Sequence, residues 1–250
     1  MITRYYPKDW KSLQSEAGEI LSQCGFNVEV EKTVETVRGN VELDVFAEEI
    51  IKGRKYTIAC ECKYWKSKIP QSIIHGFRTV LNDLGCNKGY IISLEGYQSG
   101  AFSAAESTNI ELLTWEQFQN QFCASWLENY FSPKLTQQLD PLLGYTEPLV
   151  QKWMCQVPDE EIEKIKYLRE KYLYFGILIM SFTTYSTYFQ KNVFPSLPIA
   201  QCEKFTTELK EKLPASILNI TGYKEFFDVA LEYGKIAISE FQEIKTRNNV

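Results

Sequence analysis

Apolar residues recur at helical spacing from Trp10 through Leu13, Ala17, Ile20, Leu21 and Cys24. Asp9 stands where an N-cap is needed, and Gly25 where a left-handed residue closes a helix, so a well-bounded first helix is expected. The period then drops to two. FNVEVEKTV and VELDVFAEE alternate, and KYTIACECKYW alternates with apolar filling, which predicts three strands. A second helix fits residues 70–84, with Ile73, Ile74, Phe77, Val80, Leu81 and Leu84 on one side and Pro70 suited to its first turn. KGYIISL is a short continuous apolar run of the kind seen in buried parallel strands. GYQSGAFSAAEST turns into a short helix, IELL makes a last strand, and WEQFQNQF is helical again. This order predicts an α/β fold, a mixed sheet flanked by helices.

Beyond about Tyr130 the texture changes. FSPKLTQQLDPLLGYTEP is rich in proline and turn residues and reads as a connection. Helical periodicity follows in DEEIEKIKYLREKYLYF, whose acids suit a helix N-terminus, and again at residues 200–213 and 223–246. Two domains are therefore expected, an α/β domain over 1–130 and an all-α C-terminal domain over 131–250. YLYFGILIMSFTTYSTYF, residues 172–189, approaches the length of a membrane span, but half its positions are Tyr, Ser or Thr, and a buried helix is the expectation.

Composition narrows the function classes. At 250 residues the chain can bury a substantial core unaided. Its net charge of −5 does not point to nucleic acid, so any basic surface must be local. One such run exists: Lys52, Arg54, Lys55, Lys63, Lys66 and Lys68 face a single acid, Glu61. The start lacks a signal-peptide h-region, so a cytoplasmic location is expected, with no membrane partner. Seven cysteines without a CxxC pair read as reduced, mostly buried thiols. The lone histidine, His75, leaves histidine-based nucleases and Ser-His-Asp hydrolases poorly supplied, and the absence of GxxxxGK[ST] excludes a P-loop motor.

The charges inside ACECKYW carry the chemistry. A tight turn at Lys52-Gly53 pairs Val45 with Cys60, Leu43 with Cys62 and Val41 with Tyr64 on an apolar face. The other face then pairs Phe46 with Ala59, Asp44 with Glu61, and Glu42 with Lys63. Opposed carboxylates repel, so a cation is expected between Asp44 and Glu61. A divalent metal held by carboxylates and phosphate oxygens fits, with Lys63 as a charge stabiliser. The alternative stays open: Glu42 and Lys63 as an exposed ion pair beside two solvated acids. Cys60 and Cys62 fall on the apolar face and read as core thiols rather than zinc ligands.

Asp44 followed by Glu61-Cys62-Lys63 resembles the D…(D/E)xK signature of the PD-(D/E)XK nuclease superfamily. LSQCGFNVEV, RGNVELDVFAEE, CECKYW and NKGYIISLEGYQSGAFSAAESTNIELLTW resemble, in order and spacing, the Mrr-type restriction endonuclease domain, over residues 10–120. The resemblance implies a restriction-endonuclease-like fold and Mg²⁺- or Mn²⁺-dependent cleavage of DNA. It implies catalytic roles for Asp44, Glu61 and Lys63, and a metal ligand in the Cys62 carbonyl. There are departures. Leu43 stands where the signature has proline, and the position of an early helical glutamate is taken by Gln14, so Glu16, at the border of the buried stripe, is the expected substitute.

Arg38, Lys66, Lys68, Gln71 and Ser99 are the candidate DNA contacts: Arg38 precedes a strand, the lysines follow ECK, and Gln71 and Ser99 open helices whose amides suit phosphate. Each has an ordinary alternative as a solvated side chain or helix start. The expected function is a metal-dependent DNA endonuclease in restriction or anti-phage defence, acting as a homodimer or with a defence-system partner protein. A catalytically weak nucleic-acid-binding module or an RNA-cleaving variant are the alternatives.

Overall fold

A computed structural model describes residues 1–186 and 194–249. It divides into two compact units, Met1 with Tyr5–Asn129 and Ile2–Arg4 with Tyr130–Val250.

In the first unit α1 spans Trp10–Gln23. The Asp9 carboxylate accepts from the Ser12 amide at 2.7 Å, Ser12 Oγ accepts from the Asp9 amide at 2.9 Å, and Gly25 follows the helix with φ 105°. β1 (Asn27–Thr36), β2 (Gly39–Ile51) and β3 (Arg54–Lys63) form an antiparallel meander. The turn Lys52-Gly53 is tight, both residues with positive φ (49° and 77°), and Ile51 pairs with Arg54 as the hairpin arithmetic requires. α2 (Gln71–Leu84) crosses to β4 (Lys88–Ser93), which pairs parallel with β3. α3 (Ser99–Ala105) crosses to β5 (Ile110–Thr114), and α4 (Trp115–Trp126) follows. The result is a mixed five-stranded sheet in the order β1-β2-β3-β4-β5.

Helices cover both faces of the sheet. α1 lies on Val28, Val30 and Val45, close enough that a Cβ on Gly18 would meet Val30 Cγ2 at 2.8 Å. On the same face Tyr90 meets Phe118 and Phe122 of α4 edge-on. On the opposite face Leu43, Ala59 and Ile91 form one cluster with Ile74, Phe77 and Leu81 of α2 and Ala101 of α3.

The expected pairing of β2 is corrected first. Pairing with β1 runs from Asn27–Glu48 to Val30–Val45 and resumes at Lys32–Leu43; between them Glu31 takes a left-handed backbone, φ 54°, opposite Asp44. Pairing with β3 stops at Val45–Cys60. The chain is creased at Asp44. Val45 faces α1, whereas Leu43, two residues away, belongs to the cluster under α2 and α3. The expected pairs beyond Val45–Cys60 do not form: Val45 and Leu43 face opposite sides of the sheet, which breaks the strict alternation on which those pairs depended.

The second unit is helical among the described residues. A π-helical turn, Leu127–Phe131, leads to α5 (Ser132–Thr146). A 3₁₀ turn, Lys152–Cys155, precedes α6 (Asp159–Met180), whose first turn holds Asp159, Glu160 and Glu161. After a 3₁₀ turn at Ile199–Gln201 come α7 (Thr207–Lys212), α8 (Ala215–Leu218) and α9 (Tyr223–Arg247). In its core Phe131 meets Phe182 edge-on, and Phe182 meets Phe226 at a tilt. Close helix contacts need glycine: Gly176 of α6 lies against Thr146 of α5, and Gly234 of α9 against Leu139.

The stretch read as a connection is instead α5. Pro133 sits in its first turn and Pro141 inside it, while Leu135, Leu139, Leu142 and Leu143 are buried at helical spacing. Burial of that stripe outweighs the lost hydrogen bond at Pro141. The helix expected over 200–213 is shorter, and of the apolar run at 172–189, residues 187–189 lie outside the described residues. No helix among the described residues is long and apolar enough to cross a membrane.

Candidate active site

The crease in β2 and the end of β3 bring three charges together. Because neither neighbouring strand pairs at Asp44, its side chain enters the gap. Oδ2 accepts from the Cys62 amide at 2.6 Å, and Oδ1 accepts from Gln14 Nε2 at 2.6 Å. The carboxylate thus takes the place a β2 carbonyl would hold in a continued ladder. Such charge-assisted bonds are worth ~1.5–3 kcal/mol each.

Glu61 and Lys63 lie two residues apart on β3, on the same side of the strand, and their side chains form an ion pair. Both are largely buried, with 23% and 19% of their side chains exposed. Burial pushes the Glu61 carboxyl up, Lys63 opposes that rise, and the charge on Asp44 adds to it. Asp44 and Glu61 therefore lie close enough to feel each other, as the sequence spacing suggested, although not as a ladder pair. Lys63 Nζ also lies 5.8 Å from the ring centroid of Trp65.

Cys60 and Cys62 are buried core thiols whose pKa values burial raises further. Neither is set up as a thiolate ligand. All seven cysteines are free, five of them buried. His75 is exposed on α2.

The other candidates are spread out. Glu16 is half-buried on α1, but the residue of α1 that reaches Asp44 is Gln14, on the buried stripe with Ala17 and Leu21. A polar side chain on an apolar stripe was the signal for it. Arg38 sits in the β1–β2 turn with its guanidinium 3.6 Å from Asp83 of α2. Lys66 and Lys68 are exposed in the segment after β3. Gln71 opens α2 and Ser99 opens α3, and both are exposed. These two starts are neighbours: Ile69 bridges to Tyr97, and a Cβ on Gly100 would meet Gln71 Oε1 at 2.8 Å.

The basic run does not make one surface. Lys52, Arg54 and Lys55 occupy the β2–β3 turn, while Lys63, Lys66 and Lys68 lie at the far end of β3, about 30 Å along a strand of this length. Lys55 pairs with Glu48 at 2.6 Å.

The Asp44 and Glu61 carboxylates are hard oxygen donors of the kind Mg²⁺ and Mn²⁺ take, and the cysteines beside them are buried core thiols rather than zinc ligands. Among the described residues no group of three or more His, Cys, Asp or Glu side chains is arranged to hold a metal. A cation held by two carboxylates would need further oxygen donors to complete its shell.

No curated protein matches the chain. The solved structure of AF1548, described as a protein of unknown function, aligns over 92% of this chain and 98% of that one, at 15% identity and a TM-score of 0.38. A restriction endonuclease family model of the Mrr catalytic type matches residues 8–122, which contain the whole sheet and the Asp44, Glu61 and Lys63 cluster. Residues 8–122 are therefore a restriction endonuclease domain of the Mrr type, with the restriction-endonuclease-like fold.

Proposed function

We propose that the chain is a divalent-metal-dependent endonuclease that hydrolyses DNA phosphodiester bonds in restriction or anti-phage defence. The observation that carries this reading is the crease at Asp44. It sets one carboxylate on the Cys62 amide, beside Glu61 and Lys63 on the next strand. Asp44, Glu61 and the Cys62 carbonyl would hold Mg²⁺ or Mn²⁺, which when bound activates water and neutralises phosphate charge. Lys63 keeps an ammonium beside the reacting phosphate and stabilises the negative charge that develops on it. Lys66, Lys68 and the amides at the starts of α2 and α3 hold the flanking phosphates. In this reading residues 131–250 supply dimerisation, DNA reading or a partner-sensing surface, and the protein works in the cytoplasm.

The test is a cleavage assay on methylated, unmethylated and single-stranded DNA and on RNA. Wild type should cut DNA with Mg²⁺ or Mn²⁺ and stop on chelation, while Asp44→Ala and Lys63→Ala should lose at least ~100-fold. Undiminished cutting by either variant would refute the assignment.

The pairing already present at the site favours a second reading. Both oxygens of Asp44 are engaged by protein donors, and Lys63 is engaged by Glu61. A domain that binds nucleic acid without cutting it fits that self-satisfied arrangement. DNA binding with no Mn²⁺ binding would select it.

A further inference from the structure

Gln14 is 5% exposed, and its Nε2 donates to Asp44 Oδ1 at 2.6 Å. Its Oε1 is buried and has no hydrogen-bond partner. The orientation of the amide is set by chemistry, since a carboxylate accepts only from the NH₂ end. An orphaned buried acceptor has lost its hydration without a replacement, and native proteins keep few of them. Here the orphan belongs to a side chain bonded to the carboxylate of the candidate site. The surrounding stripe of α1, Leu13, Ala17 and Leu21, is apolar and would accept leucine or methionine at position 14 without that penalty.

We propose that Gln14 is a positioning residue of the metal site: Nε2 fixes Asp44, and Oε1 is the neutral oxygen that completes the shell of the divalent cation, directly or through one water. This rests on the metal-dependent function proposed for the site. It also supplies a reason for an amide at this position rather than a carboxylate. With Asp44 and Glu61 negative and Lys63 positive, a divalent cation leaves the loaded site with one net positive charge. That charge matches a singly negative phosphodiester. A third carboxylate would cancel it, strengthening cation binding at the expense of the substrate anion.

The experiment compares wild type, Gln14→Met and Gln14→Glu by calorimetric titration with Mn²⁺. DNA affinity is then measured with Ca²⁺ in place of the catalytic ion. Gln14→Met, nearly isosteric and apolar, should weaken Mn²⁺ about 10-fold or more, as loss of supporting groups does at other metal sites. Gln14→Glu should bind Mn²⁺ at least as tightly as wild type and bind DNA more weakly. A purely structural role predicts a different split. Glutamate opposite Asp44 would then be as harmful to Mn²⁺ binding as methionine, and that result overturns the proposal. Equal Mn²⁺ affinity in Gln14→Met and wild type overturns it as well, while leaving the nuclease reading intact. If wild type itself binds no Mn²⁺, both fall together.

Discussion

Glu61 sits where burial opposes its charge, and Lys63 supplies the compensation. Its carboxyl ionises above the usual range, so the native state holds that proton more tightly than the unfolded chain. The contribution to stability is therefore complete below the unfolded carboxylate value and is lost as the pH rises through the folded one. Denaturation across this window should show Glu61→Gln gaining on wild type as the pH rises, with a constant difference above it. Asp44 poses a different problem, because its two oxygens satisfy two donors. Asp44→Ala leaves both the Cys62 amide and the Gln14 amide unpaired, at about 1–3 kcal/mol for each donor, so it should destabilise by about 2–6 kcal/mol, and Asp44→Asn by less. Melting curves of the metal-free variants separate the two.

At the scale of elements, the approach of α2 to the sheet depends on Gly89. A Cβ there would fall inside the space held by Leu81 and Phe77. Gly89→Ala should cost about 1–3 kcal/mol by overpacking, read as a lowered denaturation midpoint, and should affect the site only through β4 beside β3. Most elements of this unit were legible beforehand. Asp9 and Gly25 bounded α1, and the Lys52-Gly53 turn set the register of β2 and β3 up to Val45–Cys60. The crease was not legible, because alternation presumes an unbroken ladder and Glu31 carries no local mark of a left-handed backbone. α5 was missed for the opposite reason. Pro133, Pro141 and Gly144 are turn formers locally, and burial of Leu135, Leu139, Leu142 and Leu143 overrides them.

At the scale of the whole molecule, the distribution of charge decides where a polyanion can lie. The chain is acidic overall, and its densest basic run is divided between the two ends of β3. Of that run, Lys63, Lys66 and Lys68 are near the candidate site. Reversing Lys66 and Lys68 together should weaken DNA binding and reduce the slope of log affinity against log salt by roughly 0.9 for each phosphate no longer neutralised. The same change at Lys52 and Arg54 should leave that slope nearly unaltered. Titrations at several salt concentrations check both.

The chain's local chemistry was enough to specify the α/β order, the nuclease family of residues 8–122 and the choice of Asp44, Glu61 and Lys63 as its candidate chemical core. The element order follows from periodicity and turn residues, which act over a few positions, whereas the family and the candidate core follow from the motifs that resemble it. The tertiary structure alone decided that Asp44 leaves the ladder to meet the Cys62 amide, that Gln14 rather than Glu16 reaches it, and that the lysines of one short run are separated. Those outcomes depend on contacts between α1, β2 and β3. Residues far apart in the chain compete there for the same backbone donors, and no pattern along a single segment records which of them wins.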